Sequence, residues 1–225
     1  MNMLKLKKGG VWGAGLFLLL AMMLAGLSIG RYPVALGHVW QILLDVVFAG
    51  DNPSPGWSPT DGKVVLYVRM PRVLIAALVG AGLAVSGAAL QGIFKNPLVG
   101  PQILGVSSGA AFGGVLAIFF FSSMILTVSM AFLGGVAAIF LVFLLGFRRG
   151  GESLLILILA GVVINAFFAA LISLMTYFAD PNNTLQAIVF WLMGSFATAT
   201  YEKLWLVLPA ILLCSLLIFY AAFSH

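Results

Sequence analysis

The sequence consists of apolar blocks long enough to cross a membrane, separated by short polar breaks. A transmembrane helix needs about 20 consecutive apolar residues, because lipid offers no partners to unpaired backbone groups. Only 8% of the 225 residues are charged, whereas a soluble domain carries roughly 25%. The pattern therefore predicts an all-α, polytopic membrane helix bundle and excludes a soluble globular domain.

Polar and proline-rich breaks divide the chain into six predicted spans. The long apolar region 73–121 is interrupted at 95–101, where two prolines would break a helix. The segment 185–197 is too short to cross, so we expect a short outer helix there. The predicted spans are residues 11–29, two spans within 73–121, 124–147, 154–178 and 204–223.

Basic residues predict the orientation, because Lys and Arg concentrate in the cytoplasmic loops of membrane proteins. We expect both ends of the chain, including His225, in the cytoplasm and the loop 51–62 outside. The net charge of +5 is scattered between apolar blocks, which favours membrane anchors over a nucleic-acid-binding surface. The basic residues that carry this orientation are Lys5, Lys7, Lys8, Arg148 and Arg149.

The segment 33–50 has the spacing of an amphipathic helix that lies in the membrane interface. Apolar residues at helical spacing form one face, and polar residues form the opposite face. The apolar residues are Leu36, Trp40, Leu43, Leu44 and Val47, and the polar ones are His38, Gln41 and Asp45.

Ionisable groups are missing from the predicted spans, since every Asp and Glu falls in an outer segment or in the turn at Glu152. Proton- and sodium-coupled carriers use such groups inside the membrane. The sequence also lacks a phosphate-binding loop and any cluster of His, Cys and acidic residues with metal-ligand spacing. We therefore expect no catalytic residue, no metal site and no cofactor, and an energy source outside this chain.

Small and polar residues are the remaining features of the spans. Stripes of small residues at every fourth position predict close helix packing in the second and third spans. Hydroxyl and amide groups at Ser107, Ser108 and Asn165 are candidates for lining a pathway. The stripes are Gly80, Ala84, Ala88 and Gly92 in one span and Gly105, Gly109, Gly113 and Ala117 in the other.

Two arginines, Arg69 and Arg72, flank Met-Pro just before the second span. They are either anchors that reach from the span to the membrane surface or a paired cationic patch that receives acidic side chains from a partner. The sequence pattern alone leaves both alternatives open.

A long run beginning with these arginines, residues 69–98, resembles the FecCD-type permease family. The similarity continues through Leu-Gly-Val-Ser-Ser-Gly-Ala at 104–110, Leu-Ala-Gly-Val at 159–162 and Trp-Leu-Met-Gly-Ser at 191–195. Members of that family are membrane subunits of bacterial ABC importers for ferric siderophores, haem and cobalamin.

The resemblance implies an inner-membrane permease with ten spans that pairs with a second permease subunit. Two cytoplasmic ATPases would hold ATP and Mg, and a periplasmic or lipoprotein binding protein would deliver the cargo for alternating access. Residues 1–225 would then be a single permease domain that stops before four further spans, and hence a fragment or a truncated product. The alternative that the residues leave open is a self-contained six-span channel or facilitator.

The same resemblance implies roles for individual residues. The positions that match the family's docking arginines are Arg69 and Arg72, which would pair with carboxylates of the binding protein. The turn at Asn96, Pro97 and Leu98 matches a part of the cytoplasmic gate.

Overall fold

The computed structural model describes residues 2–48, 56–121, 123–147 and 154–224, which form helices joined by short connections. The all-α prediction is confirmed for these ranges. The predicted turn at Arg148 and Arg149, the first part of the loop 51–62 and the C-terminal His225 lie outside them, as do the side chains of the N-terminal lysines. The helices are α1 (Asn2–Ser28), α2 (Leu36–Phe48), α3 (Pro59–Lys63), α4 (Met70–Phe94), α5 (Val106–Phe121), α6 (Met124–Phe147), α7 (Leu154–Phe178), α8 (Thr184–Met193) and α9 (Tyr201–Phe223).

Within the described ranges, five helical segments are long and apolar enough to cross a membrane, one fewer than the sequence predicted. The predicted third span corresponds to α5, which has 16 residues. At about 1.5 Å per residue this helix is shorter than a hydrocarbon core of about 30 Å. The helix α5 is short because the residues before it form a 3₁₀ turn, Pro101–Leu104. This turn ends at Gly105, whose φ is 73°. The five long segments are Gly10–Ser28, Pro59–Phe94, Met124–Gly146, Leu155–Phe178 and Tyr201–Ala222.

The second span begins at Pro59, well before the predicted start at residue 73. Ser58 caps the helix, since its hydroxyl accepts a hydrogen bond from the Thr60 amide at 3.2 Å, and a proline fits the first helical position. Asp61 and Arg69 therefore lie on this helix rather than in the outer segment where the sequence placed them. Hydropathy missed this start because charged residues lower the average of the first turns.

A π-helical turn, Val64–Arg69, joins α3 to α4. In this turn the Met70 amide donates to the carbonyl of Val65, five residues earlier. The next bond of that pattern would run from residue 71 to Leu66, but Pro71 has no N–H to donate. The Tyr201 hydroxyl donates to the Leu66 carbonyl instead, at 2.7 Å. The side chain thus replaces a backbone donor that proline removes.

The chain divides into two units, residues 1–80 with 196–213 and residues 81–195 with 214–225. The first unit has a buried cluster formed by α1, the segment that follows it, α2 and the π-helical turn. That cluster consists of Leu27, Val34, Val39, Ile42 and Val65.

The second unit is built around close packing of α5 against α6. A Cβ atom at Gly109 would overlap the carbonyl oxygen of Gly134, and one at Gly113 would overlap that of Met130. The predicted stripe of small residues on α5 is therefore a helix contact, as such stripes usually are in membranes. By contrast, Cβ atoms at Gly80 and Gly92 of α4 would meet no atom within 4 Å, so the described residues do not cover that stripe.

Candidate functional site

The guanidinium of Arg69 is buried at the end of α1. Its Nη1 donates to the carbonyls of Leu27 at 2.7 Å and Ser28 at 2.8 Å, and its Nη2 donates to the carbonyl of Tyr32. Since the last carbonyls of a helix lack partners within the helix, a cation there is favourable. Arg69 is only 7% exposed. Docking of a partner at the outer surface would require an accessible side chain, which Arg69 does not offer here, and the docking role assigned to the pair stays a prediction.

Arg72 is half-buried and keeps unused hydrogen-bonding capacity. Its Nη2 donates to the carbonyl of Ala197 at 2.8 Å. Its Nε is buried without a hydrogen-bond partner among the described residues. A buried donor that lacks an acceptor costs about 1–3 kcal/mol, which the packing around this side chain must offset.

A cavity of about 350 Å³ lies within the first unit and collects three arginines, Arg31, Arg69 and Arg72. Within the described ranges no carboxylate approaches any of the three guanidinium groups to within 4.0 Å. The cavity therefore holds three positive charges that no described acid neutralises. The other residues that line it are Gly26, Ile29, Gly30, Tyr32, Val64, Val68 and Val73.

The polar face predicted for α2 contacts the protein, and its apolar stripe is largely exposed. His38 Nδ1 lies 2.8 Å from Asp61 Oδ2, and Trp57 donates to Asp45 at 2.8 Å. Tyr32 donates to Asp61 Oδ1 at 3.0 Å, and this bond to the carboxylate raises the pKa of the Tyr32 phenol. The sequence predicted which residues share a face, but it did not predict that Asp61 binds the polar one. The exposed members of the apolar stripe are Leu36, Trp40, Leu44 and Val47.

The candidate pathway residues take two different places in the second unit. Ser108 Oγ lies 2.7 Å from Asn165 Oδ1 and 2.9 Å from the Gly105 carbonyl, so this pair joins α5 to α7. Asn165 also donates to the carbonyl of Gln102 at 3.4 Å. Ser107 is exposed on α5. The structure thus gives Ser108 and Asn165 a helix-joining contact and leaves the pathway role of all three residues a prediction.

The predicted gate segment forms a tight turn after α4. Lys95 has a positive φ of 49°, and Asn96 Oδ1 accepts a hydrogen bond from the Leu98 amide at 2.9 Å. Pro97 lies between Asn96 and Leu98, and the side chain of Leu98 is 84% exposed. The side chain of Leu98 is therefore free for contact with another surface, and its gate role stays a prediction.

Sequence reasoning missed Trp191, which fixes the short helix α8 to α5. Its indole donates to the carbonyl of Ala111 at 3.2 Å, and a Cβ atom at Gly114 would overlap the ring. A signal was present, because Gly114 adds to the small residues of α5 where a large side chain can pack. Arg31 was also missed as a site residue, although it follows the end of the first apolar block directly.

The described residues include no group of three or more His, Cys, Asp or Glu side chains placed to hold a metal ion. The candidate site residues described above are hydroxyls, amides and arginines, together with the cluster around Asp61. These groups can bind a ligand or hold neighbouring helices in place, and the arginines can bind an anionic group.

A family model described as the FecCD transport family matches residues 18–224. The chain belongs to this family. One similar protein is the molybdate import system permease protein MolB of Haemophilus influenzae. It is 47% identical over 202 residues, which cover 89% of this chain and 58% of that protein. The vitamin B12 import system permease protein BtuC of Escherichia coli is 36% identical over 162 residues, covering 70% of this chain and 49% of BtuC.

A solved chain, described as belonging to a metal-chelate type ABC transporter in an inward-facing conformation, has the same fold. It superposes with a TM-score of 0.73 at 45% identity, covering 91% of this chain and 59% of the solved one. The chain thus spans between 49% and 59% of the length of these relatives.

Proposed function

We propose that this chain forms part of the membrane-spanning permease subunit of an ABC importer. The observation that carries the proposal is the family match over residues 18–224, together with five helical segments of spanning length. Two partner ATPases would bind ATP and Mg and drive alternating access, and a second permease subunit would complete the pathway in the bacterial inner membrane. The chain itself would perform no catalysis.

The cargo that we propose is an iron-containing chelate or cobalamin. The relatives named for iron chelatin, haemin and vitamin B12 transport support this class. Molybdate is the second candidate, favoured by the 47% identity to the Haemophilus molybdate permease. The two candidates differ in size and charge, so one uptake assay separates them.

Individual residues have proposed roles within this function. A periplasmic or lipoprotein binding protein would dock at Arg69 and Arg72, and the cationic cavity that both residues line supports an acidic partner there. The turn at Asn96, Pro97 and Leu98 would contribute to the cytoplasmic gate, which the exposed Leu98 side chain supports. Ser107 would line the pathway, with Ser108 and Asn165 holding its helix.

The test is ATP-dependent uptake by the assembled importer in proteoliposomes, with ferric siderophore, haem, cobalamin and molybdate offered in parallel. We expect uptake of one cargo that requires both ATP and the binding protein. Omitting either component gives the matched control. Uptake that proceeds without ATP would instead support a self-contained facilitator, and uptake of molybdate alone would replace the chelate proposal.

A further inference from the structure

We propose that α2 is a lipid anchor, whose exposed apolar stripe lies in the leaflet in which α1 ends and fixes the adjoining ends of the first two spans there. The sequence pattern predicted a helix in the membrane interface. The structure adds the depth of this helix, the face that meets lipid and the contacts that occupy its polar face. The inference goes beyond the proposed function and depends neither on the cargo nor on the energy source.

The polar side chains of α2 all face residues 56–61. His38 Nδ1 lies 2.8 Å from Asp61 Oδ2, and the Trp57 indole donates to Asp45 Oδ2 at 2.8 Å. The third polar side chain has its amide oxygen 3.1 Å from the place where a Cβ atom of Gly56 would lie. The polar face is therefore occupied by contacts within the protein. The three side chains are those of His38, Gln41 and Asp45.

The exposed face of α2 is the apolar stripe. Its four side chains follow one another at helical spacing, so they share one face, and they are between 37% and 69% exposed. No charged side chain of α2, which is described over its whole length, lies on this face. Leaving such a face in water costs about 25 cal/mol per Å², a cost that hydrocarbon removes. The four residues are Leu36, Trp40, Leu44 and Val47.

The buried face of α2 places the helix at the level where the first span ends. Two fully buried residues of this face belong to one cluster with Leu27 and Val65. Leu27 is the second-to-last residue of α1, and Val65 lies in the first turns of the span that begins at Pro59. The ends of apolar spans lie at the edge of the hydrocarbon core, so α2 lies there too and its stripe continues their lipid-facing surface. The two buried residues are Val39 and Ile42.

The size of the stripe favours lipid over a second protein as its occupant. The helix α2 has 13 residues, so it is about 20 Å long at about 1.5 Å per residue. With a helix width of about 10 Å, the face offers about 200 Å², whereas a stable protein interface covers about 800 Å² on each partner. Lipid needs no such minimum area, because hydrocarbon surrounds any apolar face at this depth. The tryptophan in the stripe agrees with this, since tryptophan is enriched at membrane–water interfaces.

The test is spin-label accessibility in the protein reconstituted in nanodiscs of neutral lipid, with Cys214→Ser as the background. A single label at Leu44→Cys or Val47→Cys is exposed to oxygen, which dissolves in lipid, and to a nickel chelate, which stays in water. We expect oxygen collisions to dominate, at a depth of about 5–10 Å into the headgroup and acyl boundary. Matched controls are Phe17→Cys for lipid and Thr60→Cys for water, since both side chains are exposed.

The two collision rates distinguish the possible occupants of the stripe. Labels on α2 that behave like the one at Phe17→Cys support the proposal. Frequent collision with the nickel chelate, as expected at Thr60→Cys, would place the stripe in water. Rare collision with both reagents would place it against protein, such as a second copy of this chain. Either of the last two results would overturn the proposal.

A second variant tests whether the lipid contact holds the helix in place. Leu44→Glu puts a charge on the stripe, and charged groups are costly in hydrocarbon, so nickel collisions at the Val47→Cys label should rise several-fold. Thr60→Glu adds the same charge outside the stripe and should leave that rate unchanged. An unchanged rate in Leu44→Glu would mean that the polar contacts alone fix α2 and that the anchoring role is wrong. Because the label reports position and not transport, a failure of ATP-dependent uptake would contradict the proposed function alone.

Discussion

Replacing Gly113 with alanine should destabilise the contact between α5 and α6. The new methyl group would overlap the Met130 carbonyl oxygen, with the Ala131 backbone close behind. Because backbone atoms of a packed helix cannot move aside singly, α5 and α6 must separate, and overpacking of this kind costs about 1–3 kcal/mol. A glycine-to-alanine change also gains about 1 kcal/mol of helix propensity, so the net loss is smaller than the cost of the overlap.

The control for Gly113→Ala is Gly15→Ala in α1, where a Cβ atom would meet nothing within 4 Å. Both variants gain the same helix propensity, so their difference isolates the overlap and should be about 1–3 kcal/mol. The free energy of unfolding is measured by SDS titration in mixed micelles and followed by far-UV circular dichroism. If the two variants are equally stable, α5 and α6 do not approach as closely as described.

Four further predictions concern polar contacts and topology. Asp61→Asn should weaken the contact with α2, which hydrogen exchange of the α2 amides would show as faster exchange. Tyr201→Phe should lower the free energy of unfolding by about 1 kcal/mol, as measured by the same SDS titration. Ser108→Ala and Asn165→Ala should be non-additive by about 0.5–3 kcal/mol in a double-mutant cycle, because the two side chains contact each other. A reporter fused to the C-terminus should be cytoplasmic if α5 crosses the membrane despite its 16 residues, and an outer location would mean that only the five long segments cross.

The helices were predictable because long apolar blocks have few alternatives in lipid. The sequence predicted α6, α7 and the short α8 close to their observed bounds, since each lies between clear polar or proline breaks. The α5 stripe was also predictable, because small residues at every fourth position allow two backbones to approach. The helix bounds and the stripe depend on the local order of apolar, polar and small residues, which can be read directly from the sequence.

The candidate site was less predictable, because its contacts join distant parts of the chain. Arg69 and Asp61 look like residues of an outer loop when only hydropathy is read. In the structure, Arg69 binds carbonyls near residue 28 and Asp61 binds His38. A charged residue near the end of a span is buried when a helix end or an opposite charge meets it, and the local sequence shows neither partner.

The proline between the two arginines connects the fold of this segment to its charges. Because Pro71 cannot donate a backbone hydrogen bond, the Leu66 carbonyl needs another donor, and Tyr201 supplies it. The π-helical turn ends at Arg69, which points to α1, while Arg72 three residues later binds the carbonyl of residue 197. If this account is correct, the cost of Tyr201→Phe should largely disappear in a Pro71→Ala background, since the new amide can reach the carbonyl itself. An undiminished cost in the double variant would mean that Tyr201 stabilises the segment by packing and that proline does not explain the π-helical turn.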